Sequence, residues 1–233
     1  MLKLRLLCDG FFTLDKSFLV YMKYMGQPYE AAIKPLLITN ANKNMLIDTG
    51  IGELPEKYRK FYTVKRKPEQ NLKTQLAQHN LKPEDIDIVV NTHLHFDHCG
   101  NNTLFPNAKI IVQADELRYA YAPERFQEAG YIKELFDVKA NYQPVQGEYM
   151  VDDVVSVLPT PGHSIGHQSI VIKNGERRYV YCGDAAPIRE CLERRNIPGV
   201  LYSSHEALKS IDRLRAITNA VYIYSHDKEQ LTI

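Results

Sequence analysis

THLHFDHCGNN, residues 92–102, places four metal-binding side chains, His93, His95, Asp97 and His98, within six residues. The run directly follows an apolar segment, Ile86–Val90, whose β-branched residues read as a buried strand. A hydrocarbon core does not absorb that much polarity. Imidazole nitrogen and carboxylate oxygen are instead the ligands that zinc accepts, at about 2.0–2.2 Å. On extended backbone His93 and His95 project to one side, and a turn is needed to bring Asp97 and His98 round, so the two pairs suit two metals. By chance an H-x-H-x-D-H pattern arises about once in two thousand chains of this size and histidine content.

A metal needs further ligands, and three candidates occupy comparable settings. Asp184 in VYCGDAA and His226 in VYIYSHD directly follow strand-like runs, and His163 in TPGHSIGH follows one after a short turn. His167 lies four residues beyond His163, but Gly162 and Gly166 argue against a helix there, so that spacing does not place both on one metal. A supporting hydrogen bond is the expected role of His167. Cys99 adjoins His98 and reads as a plain thiol, since the histidines already suffice.

With LIDTG at 46–50, HLHFDH at 93–98, TPGHSIGHQS at 160–169, GDAA at 183–186 and SHD at 225–227, the chain resembles the metallo-β-lactamase superfamily of metal-dependent hydrolases. Within it, the resemblance is closest to the N-acyl homoserine lactonases and spans nearly the whole chain. It implies that His93, His95 and His163 hold one divalent metal, that Asp97, His98 and His226 hold a second, and that Asp184 bridges them. Asp48 is implied to hold a ligating imidazole by a hydrogen bond. The implied activity is opening of the ester ring of N-acyl homoserine lactones or related lactones by a hydroxide bridging the metals, with Asp97 and Asp184 as catalytic carboxylates. Zinc is the expected ion, and manganese, iron or cobalt suit the same set. One position departs from the family: lactonases carry a tyrosine three residues after the bridging aspartate, and here that residue is Pro187. Tyr21, Tyr24 and Tyr202 are the phenols considered as replacements.

Other members of the superfamily give the rival readings. A thioesterase resembling glyoxalase II comes first, although with seven residues after His226 its glutathione-binding helical domain is not expected. A tRNA-processing phosphodiesterase ranks lower, because 29 basic against 28 acidic residues leave a net charge of +1 and no field for a nucleic-acid backbone. Lys57, Arg59, Lys60, Lys65, Arg66 and Lys67 read as a solvated face rather than an RNA patch. A di-iron redox protein ranks last, since such proteins carry a carboxylate where His95 stands.

The 233 residues suit one substantial core, hence a single domain over 1–233. Cys8, Cys99, Cys182 and Cys191 show no C-x-x-C spacing and read as free thiols of a reducing, cytoplasmic setting. The start MLKLRLLCDGFF, with no long apolar stretch and no small-residue cleavage site, argues against secretion, and no apolar run reaches membrane-spanning length, so no membrane partner is expected.

Along the chain, Leu2–Phe12 reads as a strand, Pro35–Thr39 and Asn44–Ile47 as a hairpin, and Val154–Leu158, Gln168–Ile172 and Arg178–Cys182 as further strands. Helices are expected over 68–80, Ala114–Tyr121, Glu124–Phe136 and Ser203–Ile217, the last capped by Ser203 or Ser204. The aromatic and methionine-rich stretch Phe18–Ile33 reads as a loop, either an apolar entrance wall for substrate or packing against a second subunit in a homodimer. His79 and His205 read as surface residues. The resulting fold class is α/β (α+β), an αββα sandwich of two facing mixed β-sheets with helices outside.

Overall fold

The computed structural model describes residues 2–233. Its strands are β1 (Lys3–Leu6), β2 (Phe11–Asp15), β3 (Pro28–Ala32), β4 (Leu36–Thr39), β5 (Asn44–Ile47), β6 (Val64–Lys65) and β7 (Ile88–Val90), then β8 (Lys109–Gln113), β9 (Asn141–Val145), β10 (Tyr149–Met150), β11 (Val155–Pro159), β12 (Gln168–Asn174), β13 (Arg177–Tyr181) and β14 (Ala220–Ile223). Two main sheets form, in the orders β1-β4-β5-β7-β8-β9 and β10-β11-β12-β13-β14. Both are mixed: β5, β7, β8 and β9 run parallel, as do β13 and β14, and the other pairs in these two sheets are antiparallel.

Side-chain alternation sorts each strand onto two faces. Leu36 and Ile38 of β4, with Ile88 and Val90 of β7, join Val157, Ile170, Tyr181 and Ile223 of the second sheet in one core. The intervening Leu37 and Val89 face the other way and meet Leu72 and Leu76 of the helix Leu72–Ala77. On the far side, Ile211 and Leu214 of the helix Ser204–Arg215 cover Val180 and Cys182. The expected αββα layering is therefore the observed one. Each fully buried Leu or Ile side chain contributes about 1.5–3 kcal/mol, which is why the pattern overrides local propensity.

Several local expectations are corrected. Leu2–Phe12 is two strands, because the chain breaks at Asp9–Gly10, where Gly10 takes φ +98° and a Cβ would lie 2.7 Å from the Lys65 carbonyl. Beyond the break, β2 joins a third, small sheet of order β3-β2-β6. Its partner β3 turns the end of the 18–33 stretch into strand rather than loop. Residues 68–80 hold a 3-10 turn at Pro68–Gln70 before the helix. Glu124–Phe136 is not one helix but a 3-10 turn, Glu128–Gly130, and a short helix, Lys133–Phe136. The bend there sets Gly130 against the His95 ring, where a Cβ would lie 2.6 Å from its Nε2. The C-terminal helix starts as expected, with Ser203 Oγ accepting from the Glu206 amide at 3.3 Å.

Of the basic patch, Lys57 pairs with Glu134, Lys65 with Glu30, and Arg66 with Asp9 and Glu53. Carboxylates thus answer half of it. Among the described residues no helix is long and apolar enough to cross a membrane.

Four parallel strands, β5, β7, β13 and β14, end in segments bearing Asp48, the 93–98 run, Asp184 and His226. Convergence at the carboxyl ends of parallel strands is the usual place for a site in such sheets. The last of these segments is tied down by Lys34, 2% exposed, whose Nζ donates to the carbonyls of Asp227 at 2.7 Å and Gln230 at 2.8 Å. Burial pulls its pKa down to about 8. Lys34→Met would leave both carbonyls without a donor, at about 1–3 kcal/mol for a buried group. We predict a loss of about 2–4 kcal/mol in urea unfolding of the metal-free protein, and a loss under about 0.5 kcal/mol would refute this tie.

Candidate metal centre

After β7 the chain bends at Thr92, is extended at His95, and then enters the short helix Phe96–Cys99, which swings Asp97 and His98 round beside His93. All seven residues singled out in the sequence come together. Their donor atoms fall into three overlapping sets, His93/His95/His163, His93/His98/Asp184 and Asp97/His98/His226, and within each set the atoms lie within 4.8 Å of one another. Asp184 stands between: its Oδ1 is 3.4 Å from His98 Nε2 and 3.2 Å from His226 Nε2, and its Oδ2 is 3.4 Å from His163 Nε2. Asp97 Oδ2 lies 3.6 Å from His98 Nε2 and 3.4 Å from His226 Nε2.

Four outward ring nitrogens are engaged, and that of His95, Nε2, is buried without a hydrogen-bond partner. His98 Nδ1 meets Asp48 Oδ2 at 2.8 Å, His226 Nδ1 the Ala32 carbonyl at 2.8 Å, His163 Nδ1 the Val200 carbonyl at 2.9 Å, and His93 Nδ1 Thr92 Oγ1 at 3.0 Å. A proton on each of these Nδ1 atoms leaves Nε2 as the lone-pair face. His93 Nε2 is buried without a hydrogen-bond partner, and His95 Nδ1 and His163 Nε2 face each other at 2.9 Å. A pit of inward-facing nitrogens and carboxylate oxygens suits divalent cations of nitrogen-accepting type.

Charge divides the pit. Burial, reinforced by the neighbouring imidazoles of His98, His95 and His163, holds His93 well below its ordinary pKa. Burial and His163 do the same to His95. Burial also opposes charge on His98, but Asp184, Asp97 and Asp48 outweigh it and hold that ring well above its usual value. For Asp184 burial works against ionisation, and His226, His98 and His163 together keep it well below the carboxylate range.

His167 does not join the pit. Its Nε2 accepts the Asp184 amide at 2.9 Å while Nδ1 donates to the Thr160 carbonyl at 3.1 Å, so it fixes the backbone that carries Asp184. Gly183, at φ +54°, permits this approach, since a Cβ would lie 2.6 Å from His167 Nε2. Cys99 Sγ turns away to the Leu94 carbonyl. His205 is exposed and His79 half-buried, both distant in role from the cluster.

Residues not anticipated also shape the site. Thr92 Oγ1 reaches Asp48 Oδ2 at 2.9 Å, and Ser225 Oγ donates to Asp184 Oδ1 at 2.6 Å. Each hydroxyl directly precedes a ligand candidate, a signal the sequence did carry. Buried Glu116 binds the Leu94 amide, and Gln127 Nε2 donates to the His163 carbonyl at 2.7 Å. No pattern in a single sequence points to either.

The pit floors a cavity of about 530 Å³ whose walls include Phe12, Phe18, Tyr21, Phe61, Phe126 and Leu201. Met22 and Met25, in the stretch read as either an entrance wall or a subunit contact, are exposed and do not line it. Of the replacement phenols, Tyr24 is tied to Glu190 and Tyr202 stands edge-on to Tyr119, whereas Tyr21 lines the cavity. Tyr62, not considered from sequence, lines it too and donates to the Ala129 carbonyl at 2.9 Å.

Comparison with known proteins gives three findings. The family model of the metallo-beta-lactamase superfamily matches residues 34–226. The chain is 36% identical over 166 residues to an N-acyl homoserine lactonase of Bacillus cereus, covering 70% of this chain and 64% of that protein. It is 29% identical over 228 residues to N-acyl homoserine lactonase AttM of Rhizobium radiobacter, covering 88% and 85%. The matched part is thus slightly under two thirds of the Bacillus relative's length. Among solved structures, an N-acyl homoserine lactone hydrolase with the product N-hexanoyl-L-homoserine bound at the catalytic metal center superposes with a TM-score of 0.87 at 29% identity, covering 98% of this chain and 94% of that one.

The geometry predicts two equivalents of divalent metal in elemental analysis of the metal-replete, washed protein. Asp184→Ala, which removes the carboxylate facing both sets, should lower the content of both, whereas His205→Ala should retain two equivalents. Equal losses in the two variants would refute the shared position of Asp184.

Proposed function

The chain belongs to the metallo-beta-lactamase superfamily, and on that premise we propose that it is a dinuclear metal-dependent hydrolase opening the ester ring of N-acyl homoserine lactones. The observation that carries the reading is the position of the seven donors, at the floor of a cavity with apolar walls. His93, His95 and His163 would hold one ion, Asp97, His98 and His226 the other, and Asp184 would bridge them, with zinc the expected metal. Bound there, the ions supply Lewis acidity towards a carbonyl oxygen and bring the pKa of water from about 15.7 towards about 7.

The remaining work falls to the chain itself. Asp97 lines the cavity at the metal-facing end, so its carboxylate is placed to take the proton of the attacking water and return it to the leaving alkoxide oxygen of the opened ring. Asp48 and the carbonyls of Ala32 and Val200 keep three imidazoles in one tautomer and orientation. Phe18, Phe61 and Phe126, 55–69% exposed at the cavity wall, provide a surface for an acyl chain and exclude water from it. Support also comes from the lactonase relatives and from the product seen at the metal center of the structural neighbour. The four cysteines are unpaired, in keeping with a cytoplasmic location.

Assay of the metal-replete enzyme on N-acyl homoserine lactones, thioesters and phosphodiesters tests the activity. Ring opening, abolished by chelation and restored by metal, is the expected result. No lactone turnover beside rapid thioester cleavage would overturn it. Phe61→Ser should raise KM more for a decanoyl than for a butanoyl substrate, because each buried methylene contributes about 0.8 kcal/mol, whereas Met22→Ser should leave the ratio unchanged.

A further inference from the structure

The two halves of the centre share Asp48, which meets His98 directly and His93 through Thr92, and differ in their other buried braces. The Asp97/His98/His226 half leans on Asp48, on the Ala32 carbonyl and, through residues 227–230, on Lys34. The His93/His95/His163 half has a separate brace in Glu116, which is fully buried in the helix Ala114–Ala120. Glu116 Oε1 accepts from the Leu94 amide at 3.0 Å and from Tyr131 Oη at 3.0 Å, and Oε2 accepts from Ser164 Oγ at 2.7 Å and the Gly166 amide at 3.0 Å. Leu94 lies between two of the ligand candidates, Ser164 follows the third, and the Tyr131 ring stands edge-on to His95 with centroids 4.7 Å apart. One carboxylate therefore ties the segment leaving the first sheet to the segment leading into β12 of the second.

We propose that Glu116 is a positioning residue for one metal only, the ion held by His93, His95 and His163. The proposal rests on the dinuclear reading above. Its chemistry is specific to a carboxylate. Four donors converge on two oxygens, and two of the donors are backbone amides that cannot accept. In Glu116→Gln the side-chain amide must replace one oxygen, so its N–H₂ opposes either the Leu94 or the Gly166 N–H. Ser164 and Tyr131 can rotate their hydroxyls; the backbone cannot. Removing an acceptor while leaving buried donors in place is the costly case, and the strain falls on the 93–95 and 163–166 segments.

The test is titration of the metal-free wild type and Glu116→Gln with Zn²⁺ against a chromophoric chelator, with Co²⁺ absorption spectra recorded in parallel. Wild type should take two tight equivalents. Glu116→Gln should keep one with wild-type affinity and bind the other at least tenfold more weakly, with a Co²⁺ spectrum missing one site's bands. Ser164→Ala deletes one donor without opposing any, and should weaken the same equivalent about threefold. Two tight equivalents in Glu116→Gln, or equal weakening of both, overturns the proposal. Should Glu116→Gln fail to fold, Ser164→Ala decides: weakening of one equivalent supports the proposal, and unchanged affinity at both overturns it. A wild type taking a single equivalent would overturn the dinuclear reading and this inference with it.

Discussion

A single carboxylate shared by two groups of imidazoles sets the terms for the rest of this molecule. Asp184 is 7% exposed, and its oxygens meet His98 and His226 on one side and His163 on the other. Ionised groups taken from water lose several kcal/mol of solvation each unless charge and hydrogen bonds offset it. Here Asp48, Asp97 and Asp184 are all buried beside the same rings. Carboxylates favour the charged form of His98 and His226, while burial disfavours it on His93 and His95.

Much of this was legible because chemistry-bearing residues cluster where strands end. Four donors in six residues after a β-branched run leave few physical explanations, and the alternation of β4 and β7 is visible as apolar text. His167 could be set aside from its glycines alone. The errors came where tertiary contact overrides local pattern. Glu124–Phe136 has enough apolar residues for a helix, yet Gly130 must lie flat against His95 and the segment bends. Leu2–Phe12 looks continuous until Gly10 is required at positive φ under the Lys65 carbonyl. Met22 and Met25 belong to the correct stretch and the wrong surface, since a turn decides which neighbours of Phe18 and Tyr21 reach the cavity.

Glu116 and Gln127 were illegible for a different reason. Each acts on backbone groups of segments far away in the chain, and a backbone amide has the same identity at every position. Only the fold reveals that the Leu94 and Gly166 amides point to one spot. Thr92 and Ser225 fall between these cases: hydroxyls adjoining ligands are readable, but their targets are not.

The bond from the His226 ring to the Ala32 carbonyl joins positions 194 apart. Closing so long a loop is paid in chain entropy before any contact rewards it, and proteins dominated by such contacts fold slowly. The 93–98 run is synthesised 128 residues before His226, so over that span of synthesis only part of the donor set exists. On the proposed dinuclear reading, ions captured then would meet an incomplete donor set, and the full set of seven exists only in the completed fold.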